Sequence, residues 1–346
     1  MRHIPRIARL AALAVAVRGA AAQSRPEALW YATGGEESVQ SFLAHADRIS
    51  IVSPQTYVVD SSGTVSGYID RRLVDAARAK GVKVVPLVMN PGFDQPTMHR
   101  ILVHPDARRR AIRSITALCR ENGFDGIQFD FENIHIGDKD AFTSFTRETA
   151  DSLHAAHCTL SAAIVPRTGD LAGQTPYHAW IFDNWRGAYD LKALAESLDF
   201  ISYMTYAQHT GGSTPGPVAG YAWMERALKF ALAQGVPPQK LSLGLASYSD
   251  WWYPAYDAKL GPRTTGRDVS YGTAMGVLAR SGITPTWDER QKSYFALWDE
   301  DGVFQYVFIE DARSFEAKLA LVKQYGLRGY SVWVLGSEDP AVWNRK

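Results

Sequence analysis

From about residue 27 onward the hydrophobic positions fall into two alternating patterns. Short runs rich in β-branched and aromatic residues read as strands, and between them lie longer stretches in which apolar residues recur every three or four positions, the helical period. That alternation predicts repeated βα units around a parallel sheet. The strand-like runs are Leu29 to Ala32, Ile49 to Val52, Val82 to Val88, Gly126 to Phe131, Thr159 to Ile164, Phe200 to Tyr206, Leu241 to Leu245 and Gly329 to Leu335. Eight such runs in 346 residues predict an α/β chain folded as a (β/α)8 TIM barrel. Such a barrel needs about 250 residues, which leaves room for an insertion. An open doubly wound sheet is the structural alternative; with no Gly-rich turn after the first run, it would lack its usual nucleotide-binding function.

The best-marked helix runs from Pro105 to Asn122, with proline in its first turn, Ala111, Ile112, Ile115 and Leu118 on one face, and Gly123 as a stop. A second runs from Ser314 to Tyr325, with Ser314 as N-cap and Gly326 as its end. Between about 250 and 308 the alternation breaks into Trp251, Trp252, several glycines and Phe304 to Phe308. This predicts a small α+β insertion between the seventh and eighth strands, on the C-terminal face of the barrel.

Composition narrows the function classes. Hydrophobic residues make up 46% and charged residues 21%, the balance of a folded globular chain. The formal net charge of +1, with no sustained basic block after residue 24, gives no electrostatic reason to expect nucleic acid or an anionic membrane as partner. Arg2, Arg6 and Arg9 precede an apolar run from Leu10 to Val17 and then Ala20, Ala21 and Ala22, which reads as an export signal over 1–22. The run is too short to span a bilayer, so the mature chain, 23–346, is expected to be periplasmic or secreted and off the membrane. Cys119 and Cys158 show no metal-ligand spacing. An oxidising compartment would permit a disulfide, but they are read here as small buried hydrophobes without a function.

The segment Phe124 to Asn133 carries the chemistry. Strand alternation puts Ile127, Phe129 and Phe131 on one face and Gln128, Asp130 and Glu132 on the other. The apolar set should face the helices, and the polar set should climb inside the barrel toward the end where barrel active sites lie. Carboxylates buried there are costly without a purpose or good hydrogen bonds, and a structural pair bonded to neighbouring strands is the bland alternative. The outer group, Glu132, would hold a raised pKa because the charge beneath it disfavours ionisation, making Glu132 a general acid and Asp130 its tuning partner.

This run resembles the Asp-Gly-x-Asp-x-Asp-x-Glu signature of glycoside hydrolase family 18, the chitinase-like enzymes. Met204-Thr205-Tyr206 is similar to the family's sixth-strand motif, Trp333 to its eighth-strand tryptophan, and Gly216-Pro217-Val218 and Val334-Leu335-Gly336 resemble the bacterial branch of spore-cortex glucosaminidases. The resemblance implies a retaining, substrate-assisted glycosidase acting on a β-linked N-acetylglucosamine polymer, peptidoglycan or chitin, with no cofactor and no metal. It implies Glu132 as proton donor, Asp130 orienting the acetamido group, Tyr206 donating to the acetamido oxygen, and Trp333 as a floor under the sugar.

Around these residues, Gln128, Asn133, Asn90 and Gln208 are expected to bind substrate. Gln128 stands where most of the family has Asp and would hydrogen-bond Asp130, while Ala207 stands where the family motif continues to Asp. Gln208 or another group would replace that carboxylate, or the site is reshaped for a bulkier sugar. Phe93 is a cleft candidate, and the lone His209 is expected only to hydrogen-bond. Trp251 and Trp252 either stack on sugar rings or anchor the insertion. The competing function is a chitinase-like carbohydrate-binding lectin, a class that typically lacks the acid that Glu132 supplies here.

Overall fold

The computed structural model describes residues 25–344. The expected export signal lies outside the described residues. Eight parallel strands close into a barrel: β1 (Glu27–Ala32), β2 (Ile51–Val59), β3 (Leu87–Met89), β4 (Gly126–Asp130), β5 (Thr159–Ile164), β6 (Phe200–Tyr203), β7 (Leu241–Ala246) and a last strand, Gly329–Trp333. Closure comes from β1, which pairs with β2 on one side and with the last strand on the other.

The strand bounds depart from expectation where proline intervenes. Pro54 does not end the second strand at Val52: it pairs with Ala32 at the sheet, and β2 continues through a register shift to Val59. Pro86 splits the third run into Lys83–Val84 and Leu87–Met89. The sixth strand ends at Tyr203, so Met204 to Tyr206 lie just beyond it.

Outside the barrel, Ile127, Phe129 and Phe131 are buried toward the helices, and Phe129 stacks on Phe145 of the helix Lys139–Ala155 with ring centroids 5.8 Å apart. Helix Pro105–Asn122 has its expected bounds and a left-handed Gly123 cap. Its buried stripe is Ala107, Ala111, Ile115 and Cys119, with Ile112 and Leu118 at the margin. Helix Ala312–Gln324 starts two residues earlier than read, because the Asp311 side chain, not Ser314, accepts the capping N–H. Cys119 and Cys158 form a disulfide, with Cα atoms 6.6 Å apart, and this corrects their reading as unlinked hydrophobes. The link joins helix Pro105–Asn122 to the residue that precedes β5.

Residues 249–309 form the insertion. Strands β8 (Ser249–Asp257), β9 (Gly261–Val269), β10 (Thr286–Asp288), β11 (Ser293–Glu300) and β12 (Val303–Ile309) build an antiparallel sheet in the order β9-β8-β12-β11-β10; with these five assigned, the last barrel strand is β13 (Gly329–Trp333). Helix Tyr271–Ser281 packs on the sheet through Ala274, Val277 and Leu278. The chain leaves the barrel at the C-terminal end of β7, so this sheet stands beside the barrel mouth. Among the described residues no helix is long and apolar enough to cross a membrane.

Candidate active site

A cavity of about 380 Å³ opens at the C-terminal mouth of the barrel. Asp130 and Glu132 lie on its floor with Tyr206, Trp333, Tyr31 and Gln55 around them. A larger recess of about 610 Å³, lined by Ala28, Ile49, Tyr330 and Trp343, lies at the opposite end, the face that in such barrels serves stability and not catalysis.

β4 delivers the carboxyl groups as alternation demands. Asp130 is 3% exposed and accepts a 3.0 Å hydrogen bond from Gln55 Nε2 of β2. Burial pushes its pKa up to about 6, against the lowering effect of Gln55. The pKa of Glu132 is raised well above the ordinary carboxyl range, first by burial and second by the charge of Asp130. The sequence reading named only the second cause; the larger one follows from how deeply the cleft encloses the carboxyl.

Glu132 lies past the end of β4, and its backbone is fixed by Asn90. The Asn90 side chain donates to the Glu132 carbonyl at 3.0 Å and accepts from the Glu132 N–H at 3.2 Å. Asn90 is fully buried, so the structure places it behind the acid instead of on the cleft surface. Asn133 adopts a left-handed φ of 54° and donates to the Phe93 carbonyl at 3.0 Å. Phe93, itself at φ 54°, lines the cleft.

Tyr206 lines the cavity and is almost fully buried; burial, before the nearby Tyr31 and Asp130, raises its pKa well above 10. Its phenol therefore stays a donor at any physiological pH. Trp333 lies 5.5 Å from Tyr31, ring centre to ring centre, and the following Val334 N–H donates to Ser247 Oγ.

Several expected contacts are not made. Gln128 does not hydrogen-bond Asp130: it is fully buried beneath the cleft, and its amide donates to Ser161 and Ser202. Strand alternation puts residues 128 and 130 on the same face one rung apart, but their side chains point along parallel lines, and Gln55 on β2, two strands away across β3, reaches the carboxylate instead. Gln208 turns away from the cleft to accept the Gly220 N–H at 2.8 Å, so it does not replace the carboxylate missing at Ala207. His209 faces the Thr214 carbonyl. Trp252 is buried against Phe308, and Trp251 stacks on Tyr253 inside the insertion, so neither lines the cleft.

Gln55, Tyr248 and Asp268 line the cavity and were not singled out from the sequence. Gln55 lies in the stretch Ser53-Pro54-Gln55-Thr56, beyond the Val52 at which the second strand was expected to end, and Asp268 lies in an irregular insertion, so neither position carried a sequence signal. Among the described residues no group of three or more His, Cys, Asp or Glu side chains is placed to hold a metal ion.

Comparison with known proteins bears on this geometry. The family described as Glycosyl hydrolases family 18 matches residues 48–338. The cortical fragment-lytic enzyme of Bacillus subtilis is 28% identical over 274 residues, covering 79% of this chain and 61% of that enzyme, so the chain spans about three fifths of that relative's length. A chitinase structure from Chromobacterium violaceum superposes with a TM-score of 0.80 at 26% identity, covering 92% of this chain and 97% of the other. The spore cortex-lytic enzyme SleL of Bacillus megaterium superposes with a TM-score of 0.79 at 24% identity, covering 92% and 73%, a likeness of fold.

Proposed function

The chain belongs to glycosyl hydrolase family 18, and from that premise we propose that it is a retaining, substrate-assisted β-N-acetylglucosaminidase acting on the glycan strands of peptidoglycan. The observation that carries the reading is the Asp130–Glu132 pair on the cleft floor, both groups raised in pKa and each held from behind, Asp130 by Gln55 and Glu132 by Asn90. Two coupled carboxyls of this kind divide acid and anion roles between them. Glu132 keeps its proton near neutrality and donates it to the glycosidic oxygen; the substrate's acetamido oxygen attacks the anomeric carbon, giving an oxazolinium ion and a free sugar end. Asp130, as the anion, accepts the acetamido N–H and stabilises the positive charge that develops. Tyr206 donates to the acetamido oxygen, Trp333 supports the sugar ring, and Glu132 then takes a proton from the incoming water. The likeness to a cortical fragment-lytic enzyme supports peptidoglycan over chitin, and an exported location suits that polymer.

The test pairs product analysis with one substitution. Glu132→Gln keeps the shape of the acid but has no proton to transfer, and is expected to lower the rate about 10²- to 10⁴-fold while binding survives. Proton NMR of the earliest products should show retained β configuration, and substrates with a 2-hydroxyl at the cleavage site should be inert. Initial α products, or wild-type rates from Glu132→Gln, would overturn the mechanism; cleavage of chitotetraose without cleavage of peptidoglycan would overturn the substrate.

A further inference from the structure

Asp250 and Asp268 stand directly opposite each other on the antiparallel pair β8–β9. Asp250 is 1% exposed, and neither of its carboxyl oxygens meets an ordinary hydrogen-bond donor. What faces them is the carboxyl of Asp268, so the pair can be bridged only if one of the two carries a proton. Asp268 itself lines the active-site cavity beside Tyr206, Ala207 and Tyr248.

Two further contacts fix this wall relative to the reacting centre. The loop after β6, which carries Ala207, packs on β9 so closely that a Cβ added at Gly211 would lie 2.2 Å from the Gly266 carbonyl oxygen. The Tyr248 hydroxyl lies against the Ala207 backbone. The titratable groups around Asp250 are Asp268 from β9, Tyr248 before β8, and Glu310 after β12, which is paired with Lys318 at 2.5 Å.

We propose that Asp250 and Asp268 share one proton, and that Asp268 thereby presents a fixed carboxylate to the bound glycan beside Ala207, accepting an O–H or N–H of the sugar. The proposal rests on the glycosidase reading above. Asp250 is the positioning residue: its proton holds the Asp268 carboxylate in place and lets a single negative charge, not two, face the cleft. Burial first, and the Asp268 charge second, push the pKa of Asp250 up to about 9, so it is the member that keeps the proton. The cleft wall thus regains the acceptor that Ala207 cannot supply, but from the inserted sheet.

The experiment uses the full chain with soluble peptidoglycan strands and with chitotetraose, and kcat/KM is compared on whichever of the two the wild type cleaves faster. Asp268→Asn keeps the size and loses the charge, and kcat/KM is expected to fall about 10- to 100-fold, the range of one charge-assisted hydrogen bond. Asp250→Asn still offers an N–H to Asp268 and should lose less than Asp250→Ala, which offers nothing. Adding Ala207→Asp to Asp268→Asn should restore part of the loss; Ala207 has φ 52°, a conformation that Asp adopts more readily than Ala. Carbon-13 NMR of the aspartate side chains should show one carboxyl titrating near pH 9 that moves down in Asp268→Asn. Melting curves establish that each variant is folded, and Asp268→Asn, on the exposed wall, carries the test if Asp250→Ala is not.

An unchanged kcat/KM in Asp268→Asn, an Asp250→Ala variant as active as Asp250→Asn, no aspartate titrating near pH 9, or a glycosyl adduct trapped on Asp268 would each overturn the proposal. A wild type active on peptidoglycan strands or chitotetraose but indifferent to Asp268 removes this inference alone. A wild type that neither binds nor cleaves chitotetraose or peptidoglycan strands removes the glycosidase reading and the role of Asp268 with it.

Discussion

The hydrogen bond from Gln55 to Asp130 decides the acid limb of the reaction. It is the one interaction that lowers the pKa of Asp130 against the burial that raises it to about 6. If Asp130 works as an anion, activity falls as the pH drops through the lower apparent pKa of the coupled pair. Removing a hydrogen bond to a charged group shifts that balance by about one pH unit or more. In Gln55→Leu the acid limb of kcat/KM should therefore move to higher pH, with the alkaline limb, set by Glu132, nearly in place. An acid limb unmoved by this substitution would mean that Asp130 is not the group titrating there. Gln55 also marks the boundary of what was legible at single positions. Asp130 and Glu132 could be read from one strand, because alternation alone assigns their face, and Tyr206 and Trp333 because they fall at strand ends within known motifs. Gln55 is 75 positions away from Asp130 in the chain, and only the folded sheet, in which β3 alone separates β2 from β4, puts it within reach of that carboxylate. The same reason explains why Asn90 proved a clamp for the acid and not a surface ligand.

At the scale of elements, the pattern predicted the strands and long helices well, and it failed where one residue contradicts its surroundings. Pro54 sits inside β2, where a missing N–H normally argues against a strand, and Pro86 breaks the third run into two short ones. Two cysteines 39 residues apart gave no sign of pairing until the helix Pro105–Asn122 and β5 were set side by side. In the chain-entropy view, closing a loop of that length stabilises the fold by about 4 kcal/mol. Replacing both cysteines by alanine should lower the melting temperature by several degrees, and reductant should lower that of the wild type alike. The link lies on the helix side of the barrel, away from the cleft, so kcat/KM measured well below the melting temperature should not change. A double variant as stable as the wild type would show that the disulfide does not form in the folded protein; a fall in activity at low temperature would tie it to the site.

Among the described residues, the carboxyls with raised pKa gather at the barrel mouth and its wall: Asp130, Glu132, Asp250 and Asp268, with Glu310 and Asp311 behind them. Burial is the first cause in every case, so the enclosure that equips the cleft for catalysis also lowers the stability of the fold. A carboxyl whose pKa is raised in the folded state loses its contribution to folding across the pH range where the unfolded chain is ionised and the folded chain is not, and contributes least above the folded pKa. Its full contribution is present below the unfolded value of 3.8 for Asp250, and it is lost progressively as the pH rises toward the folded value of about 9. At pH 7 the difference for Asp250 alone is on the order of 4 kcal/mol. Asparagine has the same shape and no proton to lose, so Asp250→Asn should melt above the wild type at pH 7 to 8, with the gap closing toward pH 4. Glu132→Gln should behave in the same direction, stabilising the protein while it slows turnover, as expected where a site is built at the expense of the fold. Melting temperatures of the three proteins across pH 4 to 9 decide the matter. Parallel curves with a constant offset would mean that neither carboxyl changes its protonation between folded and unfolded states, and the burial argument for both the acid and the shared-proton pair would fail together.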